Sequence, residues 1–407
     1  MEKRVSWEMK KIWMITEIYY PVKTSTGYYM TEIAEYLASK DIEVHVITTN
    51  SIYQEGEENI SPLYEKFNGV HIHRIKASNL NKNAFIKRLF RLLFNSYKLY
   101  RKAGELISDN ESLLTVTNPA FILLLLKRIV SRKSLNYYVL VHDVFPENLV
   151  AIKKLSSDSC VYKFLKTLFD SAYKKANVCI SIGRDMATIL QNKIGRENKI
   201  VTIPIWSQNE EVFPISKKDT QTYKELNLSK FIFQFAGNMG HAQGLDNILK
   251  AIDLIDNKEV RFLFIGGGAK ADEIRNYAEK NENVVSIGFQ DRSKQNDFLN
   301  ACDVAIVTLS DGMYGLGVPS KSYNIMAAGK PILYIGEENS EIALCIKEYN
   351  LGWVVEPNNP DALKKQIESI YVQRNDLDEI KRNARYVAEK VFAKKIVLEK
   401  YYELFNN

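Results

Sequence analysis

The chain has 407 residues, 46% hydrophobic and 26% charged, a globular composition too long for one ordinary core. Two domains of about 150–200 residues each are expected, and the net charge of +6 is too small to imply nucleic acid by itself. Cys160, Cys179, Cys302 and Cys345 form no Cys-x-x-Cys pair, which argues against a disulfide framework or zinc site and fits a reducing compartment. The opening MEKRVSWEMKK lacks the apolar core of a signal peptide. The longest apolar run, PAFILLLL at 119–126, is too short to span a bilayer and reads as a buried helix or strand. The protein is expected in the cytoplasm, at most peripheral on the inner face of the cytoplasmic membrane.

In chain order, KIWMITEIY reads as a buried strand, GYYMTEIAEYLASK as a helix, EVHVITT as a second strand and GVHIHRIKA as a third with period-two alternation. A basic segment follows, NKNAFIKRLFRLLFNSYKLYRKAGEL, with seven cationic residues and no acid from Lys82 to Lys102. At about 100° per residue, Lys87, Arg91, Lys98 and Lys102 share one sector, with Phe85, Leu89, Leu92 and Tyr100 opposite. Such a helix suits an anionic inner leaflet, or is an ordinary surface helix packed by its apolar side. No motif supports a nucleic-acid partner.

NYYVLVHDV, NVCISIG and KIVTIPIW continue the strands. The pattern lapses over SQNEEVFPISKKDTQTYKELNLSK, a crossing between domains. A second series then runs through FIFQFAGNMG, VRFLFIGGG, VVSIGF, DVAIVTL, KPILYIG and GWVVEP. The amphipathic VFAKKIVLEKYYELF is expected to return to the first domain. The expected fold class is α/β: two Rossmann-like, doubly wound parallel-sheet domains, residues 1–206 and 207–385, facing a cleft, with 386–407 as a returning helix. Ligands bind such sheets at the carboxyl ends of their strands.

Three glycine-bearing turns are candidate sites. Gly266, Gly268 and Ala271 fit a dinucleotide fingerprint with Asp291 downstream, but in mid-domain, where a tight structural turn is the alternative. AGNMGHAQG follows a buried strand and precedes a helix, so its amides suit a phosphate, with Asn238 and Gln243 as neutral donors; a structural turn is again the alternative. In GMYGLGVPSKSYNIMAAGKPIL, Pro319 removes a donor near a helix start and leaves the amides of Ser320 and Lys321 unpaired. Two anion sites in one domain suit a diphosphate. In LVHDVFPE, His142 and Asp143 end a buried strand at the presumed cleft. Metal is not expected: His71 and His73 alternate on a strand without a third ligand, and Asp376–Asp378 lie in solvated helical sequence.

AGNMGHAQGLDNIL, VPSKSYNIMAAGKPIL, HDVFPE and IPIWS together resemble the retaining family-4 glycosyltransferases of the GT-B fold, over nearly the whole chain. The subgroup that it resembles is the colanic-acid and N-acetyl-fucosamine transferases of bacterial surface polysaccharide synthesis. The resemblance implies an acceptor-binding first domain and a second domain binding a nucleotide-diphosphate sugar, a uridine one favoured. It implies no cofactor, and a polyprenyl-diphosphate-linked saccharide as acceptor. Ser320 and Lys321 would hold the diphosphate, Phe289 or Gln290 would border the base, and His142 would touch the donor sugar. Gly240 belongs to the first phosphate loop, and Gly27 is what remains of a glycine pair in the acceptor-side loop, where Glu17 is a candidate proton acceptor or a brace for the loop. Asn324 stands where the family carries the second Glu of an E-x7-E motif, and Leu316 where it carries the first. Asn238 and Gln243 replace the usual Arg and Lys. These departures leave open a non-catalytic sugar-nucleotide sensor, and the shared architecture leaves open a non-hydrolysing epimerase.

Overall fold

A computed structural model describes residues 10–22, 24–50, 61–77, 85–195 and 199–406, with backbone alone for 85–89. The first sheet has the order β3-β4-β2-β1-β5-β6-β7-β8. Its strands are β1 (Lys11–Ile15), β2 (Glu43–Thr49), β3 (Tyr64–Phe67), β4 (Val70–Ile75), β5 (Ser112–Val116), β6 (Asn136–Val141), β7 (Val178–Ser181) and β8 (Ile200–Thr202). Only β3 runs antiparallel, at the edge. The second sheet has the order β11-β10-β9-β12-β13-β14. These are β9 (Phe231–Ala236), β10 (Val260–Ile265), β11 (Val284–Ile287), β12 (Val304–Thr308), β13 (Ile332–Ile335) and β14 (Gly352–Val355). Every residue of FIFQFA in β9 is buried, the continuous apolar run expected of a parallel strand covered on both faces. The 119–126 run resolves into a helix, Ile122–Arg132.

Right-handed crossovers fix which helices share a face. In the first sheet the connections to β2 and to β5 through β8 run in opposite directions from β1. The helices Phe85–Leu106, Ile122–Arg132 and Cys160–Lys175 therefore lie side by side on one face, and Ser25–Ala38 covers the other, where the terminal helix Lys394–Asn406 packs against it.

The chain crosses between halves twice, and both crossings meet at Glu32. This buried carboxylate accepts from Trp206 Nε1 at 2.6 Å, from Gln208 Nε2 at 2.9 Å and from Lys394 Nζ at 2.6 Å. Ser207 Oγ donates to Ala388 O at 2.7 Å, and the Ser207 amide to Phe392 O at 2.7 Å. Beyond them, the Arg385 guanidinium binds the carbonyls of Asn209, Val212 and Ala327.

The basic helix is turned differently from the expected wheel. Arg91 is buried, at 8% exposure, with Asn95, Ser96, Leu99 and Ala103. The outer side carries Phe90 (61% exposed), Leu93 (39%), Phe94 (47%) and Tyr97 (50%). Lys98 is half-buried, its ammonium bonded to Lys76 O at 2.8 Å and 4.5 Å from the Phe94 ring centre. Lys102, also half-buried, pairs with Glu105 at 3.5 Å. The Lys87 side chain lies outside the described residues. The physical reason is a matched polar interior: Asn95 Nδ2 donates to the Glu17 carboxylate at 3.0 Å, which draws that side of the helix onto the sheet.

Candidate active site

The second sheet reverses direction between β9 and β12, and the crevice beyond their carboxyl ends faces the first sheet. Two cavities lie there. One, of about 420 Å³, is walled by Ser25, Tyr29, His142 and Asp143 from the first half and by Gln243, Pro319 and Ser320 from the second. The other, of about 360 Å³, is formed within the second half by Gly266, Gly267, Gly268, Phe289, Gln290 and Gln295. Gly237, Asn238 and Lys321 line both.

Lys321 is the unusual member. Its Nζ is buried and has no hydrogen-bond partner among the described residues, and it sits 3.5 Å from the Phe235 ring centre. A Cβ added to Gly237 would come within 3.9 Å of Nζ, so the ammonium lies directly beneath the glycine loop. Burial pulls its pKa from 10.5 down to about 7, since nothing compensates the charge. Ser322 N–H donates to Pro319 O and Tyr323 N–H to Ser320 O, whereas the amides of Ser320 and Lys321 have no backbone acceptor among the described residues. A buried cation and two spare amides at one point constitute a site short of an anion.

The first half contributes His142 and Asp143. Although consecutive, both line the cavity, because β6 has ended and both amides donate to Thr117 Oγ1, at 3.0 and 3.2 Å. Burial lowers the His142 pKa to about 4, so its imidazole is neutral at physiological pH. Burial raises the Asp143 carboxyl to about 6, although the side chain remains open to the cavity. The halves touch here. Asp143 pairs with Gly317 through the main chain, and Val144 N–H donates to Leu316 O at 3.1 Å.

Several sequence candidates lie elsewhere. Glu17 is buried outside both cavities, its carboxylate bonded to Asn95 and its carbonyl accepting from Thr48 and Thr49. Gly27 is a packing glycine: a Cβ there would meet Val22 O at 2.7 Å. Gly240 lines neither cavity and accepts from the Gln243 amide at 3.2 Å. Asn324 is buried beside the crossing, where its Oδ1 accepts from the Gln208 amide at 2.9 Å and its Nδ2 donates to Gln295 at 3.3 Å. The glycines of the dinucleotide-like turn have a steric reason, since a Cβ on Gly266 would lie 2.0 Å from Gly237 O.

Residues 26–205 match the model of Glycosyltransferase Family 4, and residues 217–387 that of Glycosyl transferases group 1. A Pseudomonas aeruginosa protein described as probable glycosyltransferase WbjE is 34% identical over 401 residues, 97% of each chain. The chain belongs to the family 4 glycosyltransferases. The putative colanic acid biosynthesis glycosyl transferase WcaI of Escherichia coli (strain K12) is 23% identical over 398 residues, 94% of this chain and 96% of that one. Among solved structures, sucrose-phosphate synthase from Thermosynechococcus elongatus superposes with a TM-score of 0.77 at 15% identity, covering 98% of both chains. Anabaena HepE in complex with UDP gives 0.73 at 12% identity, covering 98% of this chain and all of that one. These likenesses identify the GT-B fold.

In this family 4 glycosyltransferase, sequence reasoning noted Asp143 without giving it a role, and it passed over Tyr29 and Thr117. Tyr29 stands edge-on to His142, ring centres 6.4 Å apart, and interacts with the Ser320 hydroxyl across the cleft. The signal for Asp143 was its place beside His142 at a strand exit. Thr117 had none, being 25 residues away, just beyond a strand the reading missed.

Proposed function

We propose that the chain transfers a sugar from a uridine-diphosphate donor to a saccharide hydroxyl, with retention at the anomeric carbon, in bacterial surface polysaccharide synthesis. The observation that carries this reading is the unpartnered Lys321 ammonium on the wall common to both cavities. A diphosphate there would extend its sugar toward His142 and Asp143 and its base toward Phe289 and Gln290. HepE is described in complex with UDP and with UDP-glucose, which supports the donor class. Retention rests on the family resemblance. The acceptor is proposed to be a polyprenyl-diphosphate-linked saccharide met at the inner leaflet, in line with the naming of WcaI for colanic acid synthesis.

As the glycosidic bond breaks, negative charge accumulates on the leaving diphosphate. Lys321 and the amides of Ser320 and Lys321 stabilise that charge more than the bound donor's, the differential that accelerates the step. Lys321 supplies the positive charge, and transfer is proposed to need no divalent ion. Neutral His142 orients the donor sugar, and Asp143, ionised above pH 6, is placed to take the acceptor hydroxyl's proton. Main-chain pairing of Asp143 with Gly317 holds the two halves together at the cavity.

The test is acceptor-dependent UDP release. The chain should release UDP from a UDP-sugar only when saccharide acceptor is present, and Lys321→Ala should lower kcat/KM about a hundredfold. Unchanged kinetics in that variant would remove Lys321 from the mechanism. Donor conversion without acceptor would point instead to an epimerase.

A further inference from the structure

The two helical faces of the first sheet differ in charge. The helices 85–106, 122–132 and 160–175 carry thirteen lysines and arginines against two acids, Glu105 and Asp170. On the opposite face, 25–38 and 394–406 carry three lysines against four glutamates. The whole chain has a net charge of only +6, so the three-helix layer holds more positive charge than the molecule does in sum.

That layer also leaves large apolar side chains in water. Phe90, Leu93, Phe94 and Tyr97 form one stripe at helical spacing on 85–106. Val161 (59% exposed) and Phe164 (64%) form a second on 160–175. Arg101, Arg128 and Lys163 are exposed on the same three helices. Phe90, Leu93 and Phe94 lie in the first half of 85–106, which follows β4, and Val161 and Phe164 in the first half of 160–175, which leads to β7, so both groups are toward the end of the sheet where the cleft opens.

We propose that this layer is a bilayer-docking face, in which the two apolar stripes enter the interface and the cations contact anionic headgroups. Exposed apolar side chains on a layer rich in lysine and arginine match an anionic leaflet in both chemistry and sign. A second copy of the chain matches poorly, because a two-fold contact would set one cationic layer against another. Docked this way, the cleft mouth lies beside the bilayer. Its acceptor is then an amphiphile whose saccharide head reaches up from the membrane plane, a consequence that rests on the glycosyl-transfer reading, whereas the docking itself does not.

The experiment is flotation of the full chain with phosphatidylcholine vesicles, with and without phosphatidylglycerol. The parent should bind the anionic vesicles strongly and the neutral ones weakly. Phe90→Ser/Phe94→Ser/Tyr97→Ser should lower anionic partitioning at least about tenfold with the thermal midpoint unchanged, since these side chains are already exposed. Arg128→Glu/Lys163→Glu should lower it on anionic vesicles only. Equal flotation of the aromatic variant and the parent would overturn the proposal. So would a parent that ignores vesicles but binds RNA, or one that dimerises through the stripe in sedimentation velocity. UDP release with a short water-soluble acceptor, measured on the same variants, should be unaffected. If that reaction is absent in the parent while flotation behaves as described, the glycosyl-transfer reading fails and the docking face stands.

Discussion

The two halves share an architecture yet contribute opposite kinds of group to the cleft. The second half offers main-chain amides and one buried cation, with glycines at Gly237, Gly266 and Gly268 that let two strand-exit loops touch. The first half offers side chains that titrate, His142 and Asp143, both hung from the Thr117 hydroxyl. A buried cation and fixed dipoles suit a leaving group on which negative charge grows as its bond breaks. A carboxyl near pH 6 suits the step in which a proton moves. Changes in the second half should therefore alter donor affinity as well as turnover, and changes in the first should alter turnover at nearly constant affinity.

The steric requirement gives the largest expected effect. Gly266→Ala has no room for its methyl against Gly237 O, so the two loops must part. We expect UDP binding to vanish in calorimetry and the thermal midpoint to fall by several degrees. Full retention of binding would show that the loop contact is dispensable.

Asp143→Asn sharpens the contrast from the other side. Turnover should fall about ten- to a hundredfold, with the UDP dissociation constant within about twofold of the parent. The parent's rate should rise as pH increases through about 6, where Asp143 ionises, and that limb should be missing in the variant. A preserved limb would assign it to another group.

Lys321 predicts a pH effect of opposite sense in the second half. Its folded-state pKa of about 7 lies below the unfolded 10.5, so the unfolded chain holds the extra proton between those values. Stability of the empty protein gains from this group as pH rises from 7 toward 10.5 and loses that gain as pH falls back through 7. UDP binding requires the charged amine, so its dissociation constant should rise nearly tenfold from pH 8 to 9, as the protonated fraction falls tenfold per unit. Lys321→Met should flatten both curves.

The smallest effect separates Asn324 from the donor. Asn324→Ala removes an acceptor from the Gln208 amide and a donor from Gln295 on the wall of the second cavity, while Asn324 itself lines neither cavity. A loss of about 1–2 kcal/mol of stability, with UDP affinity nearly unchanged, is expected. A large affinity loss would return Asn324 to the donor site.

Most of the fold was legible because both faces of each sheet are covered, so strands such as FIFQFA announce themselves as unbroken apolar runs. β3 was missed because an edge strand half in water, YEKF, carries no such run, and β5 because SLLTV is short and borders polar residues. In the site, Lys321 and His142 were readable from local order alone: proline before a helix start, histidine at a strand exit. Glu17 and Asn324 were misjudged because their partners, Asn95 and Gln208, lie 78 and 116 residues away. The basic helix failed for a related reason. A wheel shows two faces, and it carries no sign of the distant Glu17 carboxylate that Asn95 meets when its side turns inward.

The Glu32 cluster bears on how substrates get in and out. Both chain crossings run through it side by side, and Arg385 ties the segment just beyond Gln208 to the second half. Any separation of the halves that keeps both crossings intact must pivot near Trp206–Gln208 and Phe392–Lys394, like a door on two adjacent pins. Away from those pins it would have to part the Asp143–Gly317 pairing and the Arg184–Glu341 ion pair.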